Sequence, residues 1–245
     1  ADAVVDAGNT GAMVAAATFG LKPIEGVRRV GIPVNMPASE GLCTLVDVGA
    51  NVNAKPSHLC QYGIMASIYH AANFRCEQPR VGLLNVGEER SKGNAVLKEA
   101  AALLAEAPVN FVGNAEGTDV FNGKFEVVVC DGFVGNAILK ATEGFGESLA
   151  DVLRTAIFRD VWGRLSFNLM RPVLLNLARK VDFASYGGAP LLGVEGGVII
   201  CHGRSNARAI QNAVAGAVRF INSDVNGSIR NMLSKAGAGV ESENA

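Results

Sequence analysis

Apolar runs that stop abruptly at glycine and asparagine, each followed by a stretch of helical character, recur four times along this chain. They read DAVVDAGNTGA at 2–12, LVDVGANVNAKP at 45–56, LLNVGEERSKGNA at 83–95 and VVVCDGFVGNAILK at 127–140. A continuous rather than alternating apolar run marks a strand buried on both faces, as in a parallel sheet. Helical stretches follow at 14–21, 56–73 and 95–107, the last rich in Ala, Leu, Glu and Lys, most of which lose little freedom in a helix. Short strands are predicted at 109–112 and 125–130. Strands separated by helices of this length form βαβ units, so the fold class is α/β with a mostly parallel sheet. The loops after such strands gather at one edge of the sheet, where ligands bind. The four turns therefore predict a cleft. Glycine there lets backbone N–H groups approach a ligand, and helix N-termini favour anions.

From Gly135 to about position 181 the pattern becomes largely helical, with Gly163 and Pro172 dividing it into two or three helices. Residues 186–202 read as loop, turn (194–197) and strand (198–201), and 205–222 as a final helix. Beyond Leu233 the chain is polar and small. No repeat or linker divides it, so the expectation is one α/β domain over 1–245, with a helical protrusion at about 145–182 and a disordered tail at about 234–245. The first residue is not Met and a strand begins almost at once, which reads as a domain lacking its N-terminal piece.

With 245 residues, 49% apolar and 18% charged, the chain can bury a sizeable core. Its net charge of −1 gives no general attraction to nucleic acid. No uncharged apolar stretch reaches the roughly 18 residues of a spanning helix, and no signal-peptide pattern opens the chain. Cys43, Cys60, Cys76, Cys130 and Cys201 are scattered without CxxC spacing, which points to reduced thiols with neither disulfides nor a zinc site. The charge is uneven, however. Residues 152–181 hold Arg154, Arg159, Arg164, Arg171, Arg179 and Lys180 against Asp160 alone, a net +5. Trp162, Leu165, Phe167, Leu169 and Met170 interleave with them. Large apolar residues among arginines suggest an element lying in a membrane interface, with anionic headgroups adding attraction. Core or dimer packing, or an acidic protein partner, would use the same features.

Chemistry concentrates on the turns. Asn136, at the end of Asp131-Gly-Phe-Val-Gly-Asn136, either caps a helix or donates its amide to a carbonyl or phosphate oxygen in an oxyanion-type role. Lys92 is either a solvated lysine or a point charge on phosphate, and Lys55 invites the same two readings. The chain has no GxxxxGK[ST], GxGxxG or GxSxG motif. His58 and His70 lie twelve apart on one predicted helix and His202 stands alone, a poor pattern for a metal site. His202 faces the cleft from a strand end or is structural.

Taken in order, AGNTGA (7–12), GANVNAKPSHL (49–59), RVGLLNVGEERSKGN (80–94), FVGNAEG (111–117), VVVCDGFVGN (127–136) and YGGAPLLGV (186–194) resemble the bacterial acyl-ACP:phosphate acyltransferases, the PlsX family of fatty acid and phospholipid synthesis. The resemblance runs from Ala1 to about Asn222. It implies an α/β/α sandwich like the isocitrate/isopropylmalate dehydrogenases and phosphotransacetylases, assembled as a homodimer. It implies transfer of a long-chain acyl group from acyl carrier protein to inorganic phosphate, with no metal or redox cofactor. Family members are cytoplasmic and peripherally membrane-associated, and they hand acyl phosphate to a membrane glycerol-3-phosphate acyltransferase. Carried over by motif, Lys92 and Asn136 are the catalytic candidates. Asn9, Asn51, Lys55, Glu88, Asn94, Asp131 and His202 are candidate pocket residues. Family members also begin with a strand-and-turn segment bearing a DAMGGD-like motif, absent here, and many have an acidic or small residue where this chain has Arg90. Two other readings stay open: a phosphotransacetylase-like enzyme using acyl-CoA, and a non-catalytic membrane-docking protein of the same fold. A dehydrogenase is disfavoured, because no metal-binding carboxylate cluster is evident.

Overall fold

The computed structural model describes residues 1–159, 167, 169–173 and 188–236. Trp162, Arg164 and Leu165 lie outside them. In chain order the elements are β1 (Ala3–Asp6), α1 (Thr10–Gly20), β2 (Pro33–Pro37), β3 (Leu42–Val46), α2 (Pro56–Phe74), β4 (Arg80–Leu84), α3 (Ala95–Glu106), β5 (Asn110–Ala115), α4 (Asp119–Asn122), β6 (Val127–Val129), α5 (Gly132–Ile157), β7 (Ala189–Pro190), β8 (Gly197–Ile200), α6 (Ala207–Asn222) and α7 (Val225–Ala236).

Five strands form the central sheet in the order β2-β3-β6-β4-β5. β3, β6, β4 and β5 run parallel, and β2 is an antiparallel edge. The apolar run at 127–129 sits in the middle, fully buried on both faces. Val127 and Val129 join Val46, Val81 and Leu83 beneath α2 and α3, where Leu59, Met65, Ala100 and Leu104 meet them. Val128 looks the other way, with Cys43 and Leu45, into a core shared with α1, α4, α5 and a smaller sheet. Each such buried side chain contributes about 1.5–3 kcal/mol. The result is the expected three-layer α/β/α arrangement around a mostly parallel sheet.

Three features depart from the sequence reading. β1 does not join the central sheet; it pairs in parallel with β8, which pairs with β7, in a separate three-stranded sheet. One face of that sheet (Val198, Ile200) packs into the shared core, and the other (Ile199, Cys201) lies under Ala213 and Ala217 of α6. β2 was not anticipated: proline at both ends suits only an edge, where missing N–H donors cost nothing. α7 was not anticipated either, and it runs to Ala236, past the start of the expected tail. Val225, Ile229 and Leu233, at helical spacing, bury it against α2. The predicted helical region opens with one unbroken 26-residue helix, α5, exposed at every position from Gly144 to Ala156; the expected break at Gly163 lies outside the described residues. No described helix is long and apolar enough to cross a membrane.

Candidate functional site

The turn after β3 is organised by one carboxylate. Asp47 is fully buried. Its Oδ1 accepts N–H bonds from Ile32 (3.0 Å), Gly49 (3.2 Å) and Ala50 (3.0 Å), and its Oδ2 accepts one from Asn51 (2.8 Å). Burial pushes the carboxyl up from its ordinary value, while the four backbone donors hold it down. Asn51 closes the turn: its Nδ2 donates to the Val30 carbonyl (2.7 Å) and to the Tyr62 hydroxyl (2.8 Å). Onto this turn sits the start of α5. The Gly132 N–H donates to the Asn51 carbonyl (2.8 Å). A Cβ on Gly132 would press on Asn51 and Asp47, and one on Gly135 would overlap the Asp47 carbonyl. These two glycines thus serve the contact of one turn with another. The sequence reading had them opening the backbone to a ligand; here the space they free is filled by protein.

The motif's polar residues are largely helix caps. Asn9 accepts from the Ala12 N–H at the start of α1, and Asn94 from Leu97 at the start of α3. Asp131, not Asn136, caps α5, accepting from Phe133 and Val134. Such caps contribute about 1 kcal/mol each. The Lys55 N–H donates to His58 Nδ1 (3.1 Å) at the start of α2. Glu88 pairs with Lys124. Lys92 is exposed on the turn after β4, where Gly93 takes a φ of +87° open to glycine and its neighbouring carbonyl accepts from Asn85 Nδ2.

A cavity of about 900 Å³ opens between α5, the edge at β2 and the turn after β8, within the usual range for small-molecule sites. Ile32, Val34, Val48 and Ile200 give it an apolar wall. Asn136, Lys140, Glu143 and Glu147 enter from successive turns of α5, and His202 and Arg204 face them. Thr10, the first residue of α1, and Asn206, which caps α6, complete the rim. Asn136 is exposed, one helical turn past the cap, and its amide makes no hydrogen bond to another described residue. Of the sequence candidates, the structure brings Asn136 and His202 to this cavity. Lys92, Asn9, Asn51, Lys55, Glu88, Asn94 and Asp131 are not on its wall.

Sequence reasoning missed Lys140 and Arg204. Lys140 follows Asn136 by four positions, so helical spacing alone puts it on the same face. Its Nζ donates to Glu143 (2.6 Å) and stands 3.5 Å from His202 Nε2, while the Arg204 N–H donates to His202 Nδ1 (3.1 Å). The neighbouring Cys201 thiol is pushed up by burial and, less, by Asp6, so it is a poor nucleophile. Among the described residues no group of three or more His, Cys, Asp or Glu is placed to hold a metal ion.

The chain matches the fatty acid synthesis protein family over residues 1–228. It is 44% identical over its whole length to a phosphate acyltransferase of Thermodesulfovibrio yellowstonii, spanning 71% of that protein. It is 47% identical over 92% of its length to a phosphate acyltransferase of Aquifex aeolicus, spanning 67% of that one. Among solved structures, it is similar to EutD phosphotransacetylase from Staphylococcus aureus (TM-score 0.56, 14% identity, 93% of this chain and 63% of that chain). A phosphotransacetylase from Streptococcus pyogenes is similar too (TM-score 0.57, 15% identity, 91% and 64%). At these identities the structural likeness is one of fold. The chain spans about two thirds of the length of the proteins it matches.

Proposed function

The chain belongs to the fatty acid synthesis protein family, and from that premise we propose that it provides the catalytic domain of a phosphate acyltransferase acting in the cleft beside α5. The observation that carries this is the cavity's composition: an apolar wall of Ile32, Val34, Val48 and Ile200 facing the amide of Asn136, which bonds no other described residue. An acyl chain suits the first and a developing oxyanion the second.

The reaction is direct. A phosphate oxygen attacks the thioester carbonyl, the Asn136 amide donates to the oxyanion, and the C–S bond breaks. The proton of the hydrogen phosphate ends on the departing sulfur, leaving acyl phosphate and a free thiol. A preorganised donor at this point is worth about 100-fold or more in rate. Lys92 is the second catalytic candidate. Its turn follows β4 and lies off the cavity wall; its role of offsetting phosphate charge rests on the motif alone. The donor is a long-chain acyl group on acyl carrier protein, and the acceptor of the product is a membrane glycerol-3-phosphate acyltransferase.

Two further proposals concern assembly. Phe145, Leu149 and Val152 form an exposed apolar stripe along α5, which suits a homodimer. Leu169, Met170 and Val173 are exposed beyond it, while Phe167 packs on Phe158 with ring centroids 5.0 Å apart. With Trp162 and Leu165 nearby in sequence, they suit peripheral contact with a membrane at the cytoplasmic face.

The test is phosphate-dependent thioester loss by the full-length protein, with acyl-carrier-protein and acyl-CoA donors in parallel. Acyl phosphate formation preferring the carrier donor is expected. Preference for acyl-CoA selects the phosphotransacetylase-like reading, and loss of neither leaves a non-catalytic membrane-docking protein. Retention of near-normal synthesis by Lys92→Ala removes that residue from the mechanism.

A further inference from the structure

His202 and Lys140 approach across the cavity from different elements, one from the turn after β8 and the other from α5. Their contact has an odd chemistry. The Arg204 backbone N–H donates to His202 Nδ1 (3.1 Å), so Nδ1 must be the acceptor nitrogen. A neutral imidazole carries its hydrogen on the other nitrogen, here Nε2. That N–H stands 3.5 Å from the Lys140 ammonium, a group with three hydrogens and no acceptor. Two donors therefore face one another with no lone pair between them. Glu143 takes one of the lysine's hydrogens (2.6 Å) and leaves the others to the cavity.

Resting on the phosphate acyltransferase reading, we propose that the Lys140–His202 pair is the subsite that holds a phosphate oxygen, which supplies an acceptor for the His202 Nε2–H and for the lysine hydrogens that Glu143 leaves free. Net charge does not drive this binding, since Lys140 and Arg204 on the wall are matched by Glu143 and Glu147. Recognition comes from directed hydrogens, which discriminate phosphate from simple halide. The first turns of α1 and α6, reaching the same rim at Thr10 and Asn206, add N–H groups with no intrahelical partner and the positive ends of two helix dipoles. Asn136 lies one helical turn before Lys140 on α5, so phosphate held at the pair is presented next to the carbonyl that Asn136 polarises. The phosphate has two possible sources: the inorganic cosubstrate, or the phosphate ester of the donor's pantetheine arm.

The experiment is a proton NMR titration of the full-length protein, following the His202 Cε1–H resonance and identifying it by its loss in His202→Asn. Inorganic phosphate and phosphopantetheine are added separately, with chloride at equal ionic strength as control. A saturable movement with one of the two, absent with chloride and abolished by Lys140→Met but kept by Lys140→Arg, is expected, and the active ligand names the source. No movement with either, or equal movement with chloride, overturns the subsite even if the protein makes acyl phosphate. Kinetics give the matching prediction. Both Lys140→Met and His202→Asn raise the KM for the phosphate-bearing ligand by about tenfold, the loss of one charge-assisted bond, with unchanged thermal unfolding because both side chains are exposed. Unchanged KM values for phosphate and donor in both variants also overturn it. A wild-type protein that binds phosphate at His202 but consumes no thioester keeps the subsite and removes the catalytic reading.

Discussion

The turn after β3 and the first turns of α5 beyond it use the same residue types to opposite ends. In the turn, the side chains of Asp47 and Asn51 bond to protein: four backbone N–H groups on the carboxylate, and a carbonyl and a tyrosine on the amide nitrogen. One helix turn into α5, Asn136 has the same amide with no hydrogen bond to another described residue, and it faces a cavity. Glycine divides the same way, Gly135 being packed against backbone while Gly146 on the same helix has open space around it. A polar or glycine residue in a repeated motif is therefore not evidence of a site until its bonds are counted. The residues that build the scaffold are those whose bonds go to protein, and the candidates for chemistry are those left over beside them.

Substitutions that respect this division should split cleanly, and the largest effect is expected at Gly135. Gly135→Ala places a methyl group on the Asp47 carbonyl, which neither element can vacate, so a loss of at least about 3 kcal/mol is expected in urea unfolding. Recovery of near-normal stability would mean that α5 does not seat on the turn as described. The second effect is one of pH. His70 on α2 is buried, and its ring Nδ1 lies 2.8 Å from Thr44 Oγ1, which donates to Asn35, itself bonded to Tyr69. Burial lowers this histidine from 6.5 to about 4. The unfolded chain then binds a proton that the folded chain refuses between those values, so stability is full above pH 6.5 and falls as pH drops toward 4. The loss is up to about 3 kcal/mol, and His70→Gln should flatten that slope. An unchanged slope in the variant would place the acid sensitivity elsewhere.

A smaller, more pointed effect separates two asparagines. Asn51→Ala strands the Val30 carbonyl and the Tyr62 hydroxyl and should cost about 2 kcal/mol. Its activity per folded molecule should fall little. The smallest effect has the opposite sign. Gly146→Ala, mid-helix and unobstructed, should raise stability by about 0.5–1 kcal/mol. A loss there would show that a partner surface occupies this part of α5 in solution.

Most of the scaffold was legible before any coordinates, because buried parallel strands and their helices advertise themselves as unbroken apolar runs and periodic stretches. What escaped depends on contacts distant in sequence. No local signal in 2–6 says that it pairs with 197–200 rather than with the central sheet. β2 hides because two of its five residues are proline, and α7 because three buried residues among polar ones make a weak stripe. At the site, Asn136 was legible as a candidate but not as uncapped and unpaired, since Asp131 also fits the cap. Lys140 reads as an ordinary helix-surface lysine until folding brings it to His202, 62 positions away. Asn9 and Asn94, pocket candidates by the resemblance, are helix caps in the fold, a role the same side chain serves at the same kind of turn without any ligand.

The most direct test of the central claim, that chemistry occurs in the cavity beside α5, is the rate of acyl phosphate formation by Asn136→Ala in the full-length protein, measured alongside its unfolding. The Asn136 side chain bonds no other described residue, so unfolding should match the parent while the rate falls by about 100-fold. A variant that forms acyl phosphate at the parental rate with parental stability would place the reaction outside this cavity.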